Sequence, residues 1–154
     1  MSRPEFVYVT YIETTPERLW QALTDGDFTE RYWFGYRAAS DWKPGSPYCF
    51  TKQGTGSVEG KIITADPPRR LSYTWDPCSP GPEPERTSRV TFDLESRGAV
   101  IKLTVTHDEL DERGKTLRDI SGGWPMVLAS LKSLLETGHA LPADLPSTKE
   151  AAHA

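Results

Sequence analysis

The sequence predicts an α+β domain in which an antiparallel sheet lays one face against a long helix near the C-terminus. Three observations predict it. Between residues 36 and 107 apolar residues alternate with polar ones, in six segments broken by Gly- and Pro-rich turns. Between Trp124 and Leu135 the repeat changes to helical spacing. A length of 154 residues suits one domain with a core of its own.

The elements follow in order. Residues 5–13, FVYVTYIET with its flank, are aromatic and β-branched, which is strand composition. Phe6, Tyr8 and Ile12 compete there with Val7, Val9 and Tyr11 for the inner face. In TTPERLWQALTDG, Thr15 is placed to cap a helix, Pro16 to open it, and Glu17 to meet its positive end. Leu19, Trp20 and Leu23 share its apolar face, and Gly26 is the expected stop. A second short helix is expected over 27–34.

Strands are expected at 36–41, 47–52, 57–65, 70–76, 87–95 and 99–107. Their order and short turns predict an antiparallel meander. The break at 76–86, DPCSPGPEPER, holds four prolines and reads as an exposed loop. Leu71, Tyr73 and Trp75 alternate with Ser72, Thr74 and Asp76; Val90, Phe92 and Leu94 with Arg89, Thr91 and Asp93. Ile101, Leu103, Val105 and His107 share a third inner face. One sheet face is thus apolar and the other wet. The cover is the stripe Trp124, Val127, Leu128, Leu131, Leu134 and Leu135, with Gly138 at the C′ position. Gly122-Gly123-Trp124-Pro125 reads as a turn feeding that helix, with Pro125 in its first turn and the glycines free to take positive φ. The domain is therefore expected over 1–138, with 139–154 as a flexible tail.

Composition excludes several function classes. The net charge is −4 and no basic run occurs, which argues against nucleic acid as a partner. No apolar run reaches a membrane-spanning length, and the N-terminus shows no apolar signal segment, so a cytoplasmic protein is expected. Cys49 and Cys78 are expected as free thiols. No CxxC, HExxH or calcium-loop spacing occurs, so no metal is expected. Gly54, Gly56 and Gly60 precede no helix, so they make no dinucleotide fingerprint, and no cofactor is expected. Asp108, Glu109, Asp111 and Glu112 read as a solvated acidic loop. Glu59, Lys61, Arg69, Arg70, Arg86 and Arg89 form a charged outer surface.

The order strand, two helices, six strands and long helix resembles the helix-grip fold of the START and Bet v 1-like (SRPBCC) superfamily, in which a curved antiparallel sheet wraps a long C-terminal helix. The segments TPERLWQALTDGDFTERYWFG, Asp41-Trp42-Lys43-Pro44-Gly45, Asp66-Pro67-Pro68-Arg69-Arg70-Leu71-Ser72-Tyr73-Thr74-Trp75 and GGWPMVLASLKSLLETG look like the branch of homologues of the activator of heat-shock-protein ATPase. The resemblance spans roughly residues 5–138.

The resemblance implies a pocket between sheet and helix that takes a small hydrophobic or aromatic molecule. Its candidate lining is Trp33, Phe34, Trp42, Tyr48, Phe50, Tyr73, Trp75, Phe92, Leu103, His107, Trp124 and Leu128. Tyr48 and His107 would be polar anchors and Trp124 a gate; equally, the rings fill a solid core and His107 is a strand-end residue bonded to Asp108 or Glu109. The branch also implies an alternative, a chaperone or other protein partner met through the outer surface. Catalysis is the least favoured reading, because no nucleophile, base and orienting group can be assembled from the sequence.

Overall fold

The computed structural model describes residues 3–79 and 81–142. The chain runs β1 (Phe6–Ile12), α1 (Pro16–Thr24), α2 (Gly26–Tyr32), β2 (Arg37–Ser40), β3 (Pro47–Lys52), β4 (Thr55–Asp66), β5 (Arg70–Pro77), β6 (Ser88–Arg97), β7 (Val100–Asp108) and α3 (Lys115–Thr137). The seven strands form one sheet in the order β1-β7-β6-β5-β4-β3-β2, antiparallel throughout. The meander from β2 to β7 is as expected, and β1 closes it beside β7. The curved sheet grips α3, which is the helix-grip fold.

Local chemistry accounts for the start of the chain. The Thr15 side chain accepts from the Arg18 backbone N–H and Pro16 sits in the first turn. Gly26 does not stop α1. Asp25 ends α1 and its carboxylate caps α2, accepting from the Asp27 backbone N–H. Gly26 opens α2 where a Cβ would lie 2.8 Å from the Ala38 carbonyl oxygen. Thr29, fully buried, accepts from the Ala38 N–H at 2.8 Å, and so pins α2 to β2.

The first strand settles its own ambiguity. Phe6, Tyr8 and Ile12 face inward, while Val7, Val9 and Tyr11 are about half exposed. β1 is an edge, and α3 covers part of it. Lys132 donates to the Tyr11 carbonyl at 2.6 Å, and the Glu13 N–H donates to Glu136 at 2.9 Å. Those contacts occupy backbone groups that an edge strand would otherwise offer to another chain.

The one large departure is α3. It begins at Lys115, so Gly122, Gly123, Trp124 and Pro125 lie inside it rather than in a turn before it. Neither Gly122 nor Gly123 has positive φ. An interior proline costs about 3 kcal/mol and each glycine about 1. Burial outweighs this: Ile120, Trp124, Val127, Leu128, Leu131, Leu134 and Leu135 are all buried, each contributing about 1.5–3 kcal/mol. The stripe simply starts one turn and more earlier, at Thr116 and Ile120. Gly138 ends the helix in the left-handed conformation, as expected.

After Gly138 the chain turns back along α3. Ser133 donates to the His139 carbonyl at 2.6 Å, and the Leu141 N–H donates to Ser130 at 3.2 Å. The rest of the expected tail, 143–154, lies outside the described residues.

Candidate functional site

The inner faces of β3, β5 and β6 carry the aromatic set, and α2 and α3 close over it. Seven of the predicted rings form one connected layer. Trp33 contacts Phe50 at 4.4 Å and Trp124 at 5.4 Å between ring centroids. Tyr48 contacts Tyr73 at 4.4 Å, Tyr73 contacts Phe92 at 5.7 Å, and Phe92 contacts Trp124 at 5.8 Å. Trp75 contacts Trp124 at 5.5 Å. Tyr48, Phe50, Tyr73, Phe92, Leu103 and Leu128 are buried core side chains. The Tyr48 hydroxyl is occupied, donating to the Thr74 carbonyl at 2.5 Å. Burial pushes the Tyr48 and Tyr73 phenols up, so both stay neutral. Phe34 and Trp42 lie apart, at positive φ in the loops flanking β2, partly buried against the core.

His107 belongs neither to a pocket rim nor to Asp108 or Glu109. It is fully buried. The Trp124 indole N–H donates to its Nδ1 at 3.0 Å, and its Nε2 lies 2.8 Å from the Ser88 hydroxyl oxygen. An indole nitrogen can only donate, so Nδ1 is the acceptor and Nε2 carries the proton. Nε2–H then donates to Ser88, and Ser88 donates onward to the Trp75 carbonyl at 3.3 Å. The chain Trp124–His107–Ser88–Trp75 thus ties α3 to β7, β6 and β5. Burial pulls the imidazole down to about 4, against a smaller opposing effect of Asp108. Asp108 itself is paired with Arg89 at 2.7 Å. A serine beside a histidine invites a nucleophile–base reading, but this tautomer has no lone pair facing Ser88. It cannot take the Ser88 proton.

Beside this solid layer a half-open cavity of about 380 Å³ remains. Of the predicted lining only Trp33, Trp75 and Trp124 reach it. Its other walls are Tyr36, Val58 and Pro77 from the sheet side and Ile120, Gly123 and Val127 from α3. Lys115 and Asp119 of α3 and Thr55, Ser57 and Ser79 are lining residues exposed at the mouth, and the buried Thr116 completes the lining. Sequence reading missed the helical contributors because it began α3 at Trp124. The signal was present: Thr116, Ile120 and Trp124 already follow i, i+4, i+8 spacing.

In the segment between β5 and β6, Ser79 borders the same mouth, and Glu85 and Arg86 are tied down. Glu85 accepts from the Thr116 N–H at 3.3 Å and from its hydroxyl at 3.2 Å. It thereby caps α3, whose own Gly114 offers no side chain. The Arg86 N–H donates to Asp111 at 2.9 Å, so the acidic segment after β7 is a fastening point rather than a purely solvated loop.

A second, shallower groove of about 690 Å³ lies on the outer sheet face, across Cys49, Glu59, Gly60, Lys61, Thr74 and Asp76. It is larger, but it is not bounded by the helix and no ring stack walls it. The candidate site is therefore the smaller cavity. Cys49 is half-buried and Cys78 exposed, both free thiols. On the same outer face Arg69, Arg70 and Arg89 are paired with Asp66, Asp93 and Asp108. Among the described residues no three His, Cys, Asp or Glu side chains converge on a metal position. No described helix is long and apolar enough to cross a membrane.

Comparison with curated proteins returns no match. Among solved structures, CalU16 from Micromonospora echinospora is 25% identical, with a TM-score of 0.71 over 90% of this chain and 77% of that one. The Aha1 dimer from Colwellia psychrerythraea is 23% identical, with a TM-score of 0.72 over 88% and 98%. An HSP90 activator from Plasmodium falciparum is 23% identical, with a TM-score of 0.72 over 85% and 95%. The last two likenesses show the fold alone. The family model described as activator of Hsp90 ATPase homolog 1-like protein matches residues 13–136, and the chain belongs to that family.

Proposed function

We propose that this protein is a cytoplasmic binding module that holds a small apolar or aromatic molecule between its sheet and α3. The observation that carries the reading is the cavity itself. The aromatic layer is packed ring on ring, yet Trp33, Trp75 and Trp124 turn part of their surface to a space of about 380 Å³. That is within the range of small-molecule sites, roughly 300–1,000 Å³. The Ser88–His107 pair lends no support to a catalytic reading, because both are held in a hydrogen-bond chain with no base toward the serine.

The test is an amide NMR titration with a mixed set of aromatic acids, phenols, sterols and fatty acids. Shifts at Gly123, Trp75 and Trp124 support the reading. Gly123→Leu should abolish them by putting a side chain into the cavity, while Gly123→Ala, whose Cβ meets no atom within 4 Å, should keep the fold and weaken them less. A spectrum that no compound perturbs at these positions would overturn it.

The alternative reading is a chaperone-binding domain, supported by the family and by the similar Plasmodium structure's description as an HSP90 activator. The half-exposed stripe Val7, Val9 and Tyr11 on β1 is the surface such a partner would meet. Failure to bind a ninety-kilodalton heat-shock protein at about 100 μM, a free energy near −5 kcal/mol, removes it.

A further inference from the structure

Resting on the ligand-binding reading above, we propose that the cavity selects neutral, planar aromatic molecules of one or two rings, and that the Lys115–Asp119 ion pair at its mouth discriminates against carboxylates. Three observations converge.

The first is size. At about 380 Å³ the cavity lies at the small end of small-molecule sites, roughly 300–1,000 Å³, which suits a molecule of one or two rings. The second is wall shape. Trp33 and Trp75 stand 5.4 and 5.5 Å from Trp124, centroid to centroid. A wall of three contacting indole rings favours a flat occupant over a flexible chain.

The third is charge. Of the residues bounding the cavity, Lys115 and Asp119 are the charged ones, and they are bonded to each other, Nζ to Oδ2, at 2.6 Å. The neighbouring Glu85 carboxylate is bound to Thr116, which also lines the cavity. The Lys115 and Asp119 side chains are about half exposed, so the effect is of surface-pair size: an entering carboxylate meets Asp119, with Glu85 nearby on Thr116, and finds the one cation of the lining already paired. A phenol or a carbonyl faces no such opposition, and the hydroxyl-bearing Thr55, Ser57 and Ser79 belong to the same lining.

The experiment is an amide NMR titration of the full chain at neutral pH with 2-naphthol, 2-naphthoate and laurate. 2-Naphthol should bind at Gly123, Trp75 and Trp124 at least about fivefold tighter than 2-naphthoate, the ratio expected when a carboxylate meets a charge opposition of surface-pair size. Laurate should be weaker than 2-naphthol. Asp119→Asn should narrow the gap between the two naphthalenes by releasing Lys115, with the spectrum otherwise unchanged. Shifts at the same residues but an equal or inverted preference in the wild type, or an undiminished preference in Asp119→Asn, would overturn the selectivity and leave the pocket. Tighter laurate would overturn the aromatic class alone. Silence at Gly123, Trp75 and Trp124 with all three would overturn the selectivity and the pocket together.

Discussion

Acidification should unfold this protein partly through one buried imidazole. His107 is fully buried, and its pKa lies at about 4, below the ordinary 6.5, chiefly through loss of hydration. At about 1.4 kcal/mol per pKa unit, that difference corresponds to about 3 kcal/mol. The sign follows from proton counting. Between pH 6.5 and 4 the unfolded chain takes up a proton that the folded chain refuses. The contribution is therefore intact above pH 6.5, falls as pH drops toward 4, and is lost below it. From pH 7 to 4.5 the expected loss is about 2 kcal/mol. Carboxylates titrate over part of the same range, so the measurement is a difference. Urea unfolding of wild type and His107→Gln at pH 7 and 4.5 provides it. Glutamine can accept from Trp124 and donate to Ser88 but cannot charge. The variant should lose about 2 kcal/mol less on acidification. Parallel pH curves, or an imidazole that titrates near 6.5 by NMR, would refute the account of His107. A nitrogen spectrum showing the proton on Nδ1 would refute the hydrogen-bond chain.

Three further outcomes follow from single contacts. Gly123→Ala should raise stability by about 0.5–1 kcal/mol in thermal unfolding, because the site is helical and the added methyl enters open space. Gly60→Ala should lower it by about 1–3 kcal/mol, since a Cβ there collides with the Thr74 carbonyl, a backbone group with little freedom to move. Glu85→Ala removes the cap of α3 and should cost about 1 kcal/mol, with faster amide exchange at Lys115 to Arg118 than in the wild type. Unchanged exchange at those amides would mean that the segment after β5 is not held by Glu85.

Most of the fold was legible in the sequence. Period-two alternation recovered six strands, and the capping residues Thr15 and Pro16 recovered the start of α1, because both signals act within a few residues. Such local signals also placed the apolar stripe of α3 from Trp124 onward and the glycine that ends it. What the sequence misjudged was Gly-Gly-Trp-Pro. Local propensity forbids a helix there, and the helix forms because Ile120 and Trp124 bury against a sheet assembled from distant strands. Gly26 was misread for a similar reason, since what it avoids is the carbonyl of Ala38 on β2.

The candidate site was less legible than the fold. Composition and alternation place nine aromatic rings near one interface, but they cannot tell a filled layer from a lined cavity. That difference depends on side-chain packing between β3, β5, β6 and α3, where a shift of one ring opens or closes the space. Only the tertiary structure separates Trp33, Trp75 and Trp124, which border the opening, from Tyr73 and Phe92, which do not. It also gives His107 its partners, because Ser88 and Trp124 lie 19 and 17 residues away in the chain. The sequence determined which faces must be apolar. The packing of those faces against each other decided where a ligand has room.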